Sequence, residues 1–510
     1  MIFQGKNINN DIVIETEVCI IGSGAGGGTL AKELSEKGIK VILLEEGSYN
    51  LPQDFNFREN KMIPKLFQES GGRNTTDMSV IVTHGKGVGG STVHNICLSF
   101  RPEKAIIERW QKEYKVGFNY DDLVPYFEKV EKDLEIKPIR EDQINLNNDI
   151  FRKGCEKLGL NAKIPNHNRN SNCAGCGFCE LGCKLDSKNN VLKIYIPLAL
   201  KNGAKIYSDC KVEKILLDGN KVSGVKGEIT NHETKKKYRI FVKSKVVVSS
   251  GGAINTPILL MKSGISSKSN LIGKTLHLHP YSPVVGFFDQ EIQGWKGIPQ
   301  SIYCDDFADF KKDGYGGFIL IPGFAHPGSS ASLTPSHGKE HWEIMKEYPR
   351  TAAGGAMAHD ETNGKINVNT SGNPEITYWP EKSDQKIIID GFMKMAEIYL
   401  SAGAKKVLLP FTDPFYVKSM KDMEGLEKLE LKPRKITLMS VHPQGSCRMG
   451  EDTNNSVVNS NCEFHNVKGL FICDTSVFPT SLGTPPQVPT MSLGVMVAEK
   501  IYKDKIRLFS

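Results

Sequence analysis

The chain has 510 residues, 39% hydrophobic and 24% charged, with a mean hydropathy of −0.31; that length holds two or three domain-sized units. Net charge is +7, from 65 basic and 58 acidic residues, and apart from Lys235-Lys236-Lys237 the basic residues are scattered, which excludes a nucleic-acid-binding stripe. With no apolar run of about 18 residues and no apolar leader before Glu15, the expectation is a cytoplasmic protein without a transmembrane segment. Its twelve cysteines then stay reduced, and a tight cluster of them reads as metal-binding or redox-active.

Val18 to Ile21 is a short apolar run, followed by Gly22-Ser-Gly-Ala-Gly-Gly-Gly28. Thr29 to Lys37 has helical character, and Val41 to Leu44 is again strand-like and ends at Glu45. This is a βαβ unit in which Gly22, Gly24 and Gly27 fit G-x-G-x-x-G. The first glycine allows the tight turn, the second lets backbone approach a pyrophosphate, and the third lets helix pack on strand. Free N–H groups at the helix start favour the anion. Glu45 stands about twenty residues on, where an acid takes ribose hydroxyls. The motif alone does not separate FAD from NAD.

Gly85-Lys-Gly-Val-Gly-Gly-Ser-Thr-Val-His-Asn95 reads as a loop pressed against a flat or anionic ligand. Residues 102 to 160 look helical and charged, for example Tyr120 to Leu134. Then comes Cys173-Ala-Gly-Cys-Gly-Phe-Cys-Glu-Leu-Gly-Cys183. Its x2, x2, x3 spacing repeats that of bacterial ferredoxins, with Lys184 in place of the usual proline. An iron–sulfur cluster (4Fe-4S or 3Fe-4S) on Cys173, Cys176, Cys179 and Cys183 is the leading expectation. Zinc and a disulfide or metal-free loop are the alternatives, and a distant cysteine is an option for the fourth ligand.

Lys211 to Leu217, Val222 to Glu228 and Tyr238 to Lys245 read as a β-meander, and Val246 to Ser250 as a further buried strand. His277 and His279 alternate along a strand candidate, Leu276 to Pro280, more in keeping with structural histidines than with a metal pair. Gly364 to Val368 and Glu375 to Tyr378 look like sheet, and Asp384 to Ala402 like a helix. Val441-His-Pro-Gln-Gly-Ser-Cys-Arg-Met-Gly450 follows. Gly469-Leu-Phe-Ile-Cys-Asp474 ends an apolar run in an acid, as strands do at a ligand edge. Gly483-Thr-Pro-Pro-Gln487 leads into a final helix.

Together the βαβ unit, the Gly85–Asn95 loop, Gly252-Ala-Ile-Asn-Thr-Pro257 with Ser263-Gly264, and the tail from His442 to Glu499 resemble the glucose–methanol–choline (GMC) family of flavin oxidoreductases. The resemblance implies FAD. Gly22, Gly24, Gly27, Glu45, Gly89, Gly90, Ser91, Asn95, Val212 and Asp474 stand at its FAD-contacting positions. It implies that His442 is the base that takes the alcohol proton as hydride moves to the flavin. His94 stands where choline-oxidase-type members bond the flavin covalently; elsewhere in the family the cofactor is noncovalent. Two positions depart from the family pattern. Ser266 replaces a usual glycine. Pro485 replaces the His or Asn that orients the substrate hydroxyl, leaving Thr484 and Gln487 as nearest candidates.

The expected fold is mixed α/β. A Rossmann-like FAD-binding domain (1–105, 185–275 and 436–510) is joined by a covering segment with the cysteines (106–184). A substrate domain on an antiparallel sheet spans 276–435. The expected function is FAD-dependent oxidation of an alcohol, a long-chain or sugar alcohol being the class in view, with electrons leaving through an iron–sulfur cluster to an external protein or quinone. An O2-reducing oxidase and a flavin-containing lyase are the alternatives.

Overall fold

The computed structural model describes residues 1–509, which form two large sheets with one extended core each. The first sheet runs Ile2–Phe3, Lys205–Tyr207, Val41–Leu44, Ile12–Ile21, Lys237–Ser249, Lys221–Thr230 and Cys210–Asp218. Leu470–Ile472 adds beside Lys237–Ser249. Val18, Cys19, Ile20 and Val246 to Val248 are fully buried, as expected of parallel strands covered on both faces. Each large apolar side chain so placed contributes about 1.5–3 kcal/mol relative to exposure.

The expected meander is present, but the separate strand expected at Val246–Ser250 is its continuation. One strand, Lys237–Ser249, pairs antiparallel with Lys221–Thr230 and parallel with Ile12–Ile21. The first helix also begins earlier than its propensity suggests, at Ala25. Its glycines are in the helix because tertiary contact demands it: a Cβ on Gly26 would overlap the Cys473 carbonyl oxygen.

The second sheet is mainly antiparallel: Phe415–Val417, Lys406–Leu409, Tyr281–Phe287, Thr351–Ala358, Phe318–Pro322, Tyr303–Cys304 and Ala162–Lys163. A parallel pair, Val80–Val82 with Leu438–Ser440, joins it through Met439 opposite Tyr281. The helix Lys382–Ser401 lies across this sheet and fully buries Phe392 and Tyr399. Small residues of Thr351–Ala358 make the approach possible; Ala356 faces Gly391 of the helix so closely that a Cβ there would collide. The hairpin Lys365–Val368 with Pro374–Thr377 is also present. Leu276–Pro280 is not the strand expected: it makes only isolated bridges, and His279 adopts a left-handed conformation, φ 49°. No helix among the described residues is long and apolar enough to cross a membrane.

Candidate active site

Four parallel strands end at one edge of the first sheet. Ile12–Ile21 leads to Gly22, Val41–Leu44 to Glu45, Lys237–Ser249 to Ser250 and Gly251, and Leu470–Ile472 to Asp474. This is the edge where open α/β sheets bind ligands. Gly22 turns the chain at φ 94°, and Gly24 caps the helix that follows. The buried Glu45 carboxylate accepts from Ser23 N (3.0 Å), Ser23 Oγ (2.7 Å), Gly47 N (2.9 Å) and Gly87 N (3.1 Å). Burial raises its pKa against those bonds. Cys210 N donates to Glu45 O (2.8 Å), which brings Val212 of the meander alongside; Val212 faces Gly227 at an irregularity in the pairing.

The Gly85–Asn95 loop docks on this turn. Gly89 N donates to Ser23 Oγ (3.1 Å), and Ser91 Oγ accepts from Gly85 N (2.9 Å). Gly90 approaches Gly24 so closely that a Cβ would meet its Cα. Asp474 accepts from Gly252 N (2.9 Å), Thr256 Oγ1 (2.6 Å) and Ser476 N (2.8 Å). The His94 ring packs on Phe67, centroids 4.0 Å apart, and its Nε2 is buried with no partner. Side-chain-free turns, two held carboxylates and an orphaned buried nitrogen along one edge suit an extended flavin dinucleotide.

His442 is joined to this edge by backbone. Thr83 N donates to Ser440 O (2.7 Å), Thr475 Oγ1 to Pro443 O (2.8 Å) and Gly445 N to Thr475 O (2.9 Å). Its Nδ1 lies 3.2 Å from the Met357 thioether sulfur. Burial alone lowers its pKa to about 4, so the ring is neutral at pH 7.

Of the two candidates beside Pro485, Gln487 is engaged elsewhere. Its amide nitrogen donates to Leu98 O (2.5 Å), Ser99 Oγ (3.2 Å) and Asn168 Oδ1 (3.2 Å), while its oxygen accepts from Asn95 Nδ2 (2.8 Å). Thr484 Oγ1 is buried without a partner.

Cys173, Cys176, Cys179 and Cys183 all line one small, partly open cavity, with His167 and Arg169. Arg169 donates toward Cys173 Sγ (3.7 Å) and Ser187 N to Cys183 Sγ (3.1 Å). Cys97, three residues after His94, contacts Cys179. The donor chemistry suits a soft metal, but no group of three His, Cys, Asp or Glu among the described residues is placed to hold a metal ion.

Sequence reasoning missed Lys188. Its side chain is buried, and Nζ donates to Val93 O (2.9 Å), Asn95 O (2.5 Å) and Cys179 O (2.9 Å). It ties the carbonyls flanking His94 to the cysteine loop. Asp360 was missed as well, although His359-Asp360-Glu361 stands out in a Gly- and Ala-rich stretch.

Burial holds His94 and His359 neutral down to about pH 3, and His277 to about 4. Unfolded, each titrates near 6.5. Between those values the unfolded chain binds protons that the folded chain does not. Stability from these groups is therefore complete above about pH 6.5 and falls as pH drops, by about 1.4 kcal/mol per unit per histidine. Buried Asp360 and Asp384, whose pKa values burial raises, act in the opposite sense. The melting temperature is expected to decline from pH 6.5 to 4.5. It should decline less steeply in His359→Phe, which keeps the stack on Phe310. Parallel curves for the two proteins would refute the assignment.

Residues 63–281 and 360–494 match GMC oxidoreductase family models, and residues 15–53 match an FAD binding domain. The chain is 30% identical to long-chain-alcohol oxidase FAO3 of Arabidopsis thaliana, over 96% of this chain and 68% of that protein. It is 29% identical to FAO1 of the same plant, over 98% and 69%. The crystal structure of pyridoxine 4-oxidase from Mesorbium loti superposes with a TM-score of 0.71 at 17% identity, covering 96% of this chain and 99% of that one. With these matches over its glycine turns and its tail histidine, the chain belongs to the GMC oxidoreductase family and is an FAD-dependent oxidoreductase.

Proposed function

We propose that the enzyme oxidises a long-chain alcohol to the carbonyl, with His442 as the base. The relatives named as long-chain-alcohol oxidases support the substrate class. The observation that carries the mechanism is the His442–Met357 contact. A thioether can only accept, so the neutral ring keeps its proton on Nδ1 and presents the Nε2 lone pair to the alcohol hydroxyl. When bound, FAD supplies the acceptor for the hydride.

In this reading Gly22, Gly24, Gly27 and the first helix hold the pyrophosphate, and Glu45 holds the ribose. The Val212 backbone faces the adenine. Gly89, Gly90, Ser91, Asn95 and Asp474 line the remainder. His94 Nε2, buried and unpaired, meets the flavin edge; flavin retained on the polypeptide after acid precipitation establishes a covalent bond, and full release establishes packing only. Anaerobic mixing with a panel of straight-chain and sugar alcohols tests the function. Bleaching of the flavin that strengthens with chain length is expected, and bleaching by none refutes the reading.

A second reading concerns the cysteines. Spacing and a shared cavity favour an iron–sulfur centre at Cys173, Cys176, Cys179 and Cys183, serving an acceptor other than O2; that no group of three among the described residues is placed to hold a metal ion opposes it. Iron and labile sulfide in anaerobically purified protein decide the matter, and their absence leaves O2 as the favoured acceptor.

A further inference from the structure

His279 and His442 meet edge to face, ring centres 5.7 Å apart and planes at 88°. Both carry the proton on Nδ1, but the nitrogen each leaves free differs: a donor on His279 and an acceptor on His442. The Gly483 N–H donates to His279 Nε2 (2.7 Å). A neutral imidazole has one donor and one acceptor, so the His279 proton is on Nδ1, which is buried without a partner. His442 holds its proton toward Met357 and offers Nε2.

We infer that His279 is a second catalytic residue, donating from Nδ1–H to the substrate oxygen whose proton His442 takes. The inference rests on His442 being the base. An alcohol hydroxyl needs an acceptor for its proton and can accept one donor at its oxygen, and the two rings supply one of each. Negative charge builds on that oxygen as the proton passes to His442. A preorganised donor to that oxygen stabilises the transition state more than the bound alcohol. Pro485 has no polar side-chain atom to do this.

The placement of His279 is enforced. The buried Asp360 carboxylate accepts from Leu278 N (2.9 Å), His279 N (3.1 Å), Tyr378 Oη (2.8 Å) and Ser481 Oγ (2.8 Å). It holds the left-handed turn at His279 and the Ser481–Gly483 loop in one frame. A left-handed conformation at a residue other than glycine is strained and persists when its surroundings over-determine it.

The test is anaerobic stopped-flow flavin reduction by the best alcohol of the panel, using FAD-loaded wild type, His279→Asn and His279→Gln. Asn puts its amide nitrogen near the Nδ1 position and tolerates the left-handed backbone; Gln puts it near Nε2. His279→Gln is expected to reduce its flavin about 100-fold more slowly, with little change in the half-saturating alcohol concentration. His279→Asn is expected to stay within about tenfold of wild type, with an unchanged melting temperature. A wild-type rate in His279→Gln overturns the inference. So do equal losses in both variants, which assign His279 to the fold. Wild-type flavin that no alcohol bleaches overturns the base reading and this inference together.

Discussion

Replacing His442 by Ala is expected to slow flavin reduction by alcohol about a thousandfold while FAD stays bound, general-base catalysis being worth about 10²–10⁴-fold. The segment that follows the residue is held to the flavin-binding edge by hydrogen bonds, of which Gly445 N to Thr475 O is one. Truncation at Cβ therefore leaves the cradle intact. The absorbance spectrum of the variant should match wild type, and its flavin should bleach normally with dithionite.

The wild-type pH profile carries a second signature. Only the unprotonated imidazole can accept the alcohol proton. Burial has moved the titration of His442 down to about 4, so kcat/KM should be level from pH 7 to about 5 and fall as pH drops through about 4. A break near 6.5, the ordinary histidine value, would show a ring more hydrated than this one. His442→Ala should lose the acid limb. Normal flavin reduction in that variant removes His442 from the mechanism.

The nucleotide half of this site was readable because its constraints are local. Gly22 must turn, Gly27 must admit a neighbouring backbone, and Glu45 must follow a strand; each demand falls within one βαβ unit. The catalytic half depends on distant partners. His279 occupies a period-2 pattern that reads as strand, yet Asp360 draws its backbone into a left-handed turn from 81 residues away. Nothing between Leu276 and Pro280 encodes that pull.

Gln487 illustrates the converse. Its position beside Pro486 suggested a polar group for substrate, but its amide is taken up by Leu98, Ser99, Asn95 and Asn168. A buried amide is satisfied by whatever the fold brings near, and the chain separation conceals the partners. The cysteine run shows a third limit. Spacing fixes which thiols share a loop, whereas convergence on one centre is set by the backbone of that loop. Here Cys179 meets Cys97, from outside the run, and no group of three among the described residues is placed to hold a metal ion.

Lys188→Met is expected to destabilise the protein by about 1.5–3 kcal/mol, the worth of a hydrogen bond to a charged group, and to weaken FAD retention. Met reproduces much of the lysine stem but donates nothing, so Val93 O, Asn95 O and Cys179 O all lose a charge-assisted donor. Those carbonyls belong to two segments, the Gly85–Asn95 loop and the cysteine loop. Val93 O and Asn95 O bracket His94, so their release lets the His94 ring leave its seat on Phe67. Thermal unfolding and flavin released on gel filtration measure the two effects. Lys188→Arg separates charge from geometry. It keeps the cation, but its planar fork cannot direct three donors to the carbonyls that surround a compact ammonium, so intermediate stability with loosened flavin is expected. If Lys188→Met melts and retains flavin as wild type does, the staple between the two loops contributes nothing. The flavin loop would then be held by its other bonds, among them those to Ser23, Glu45 and Gln487.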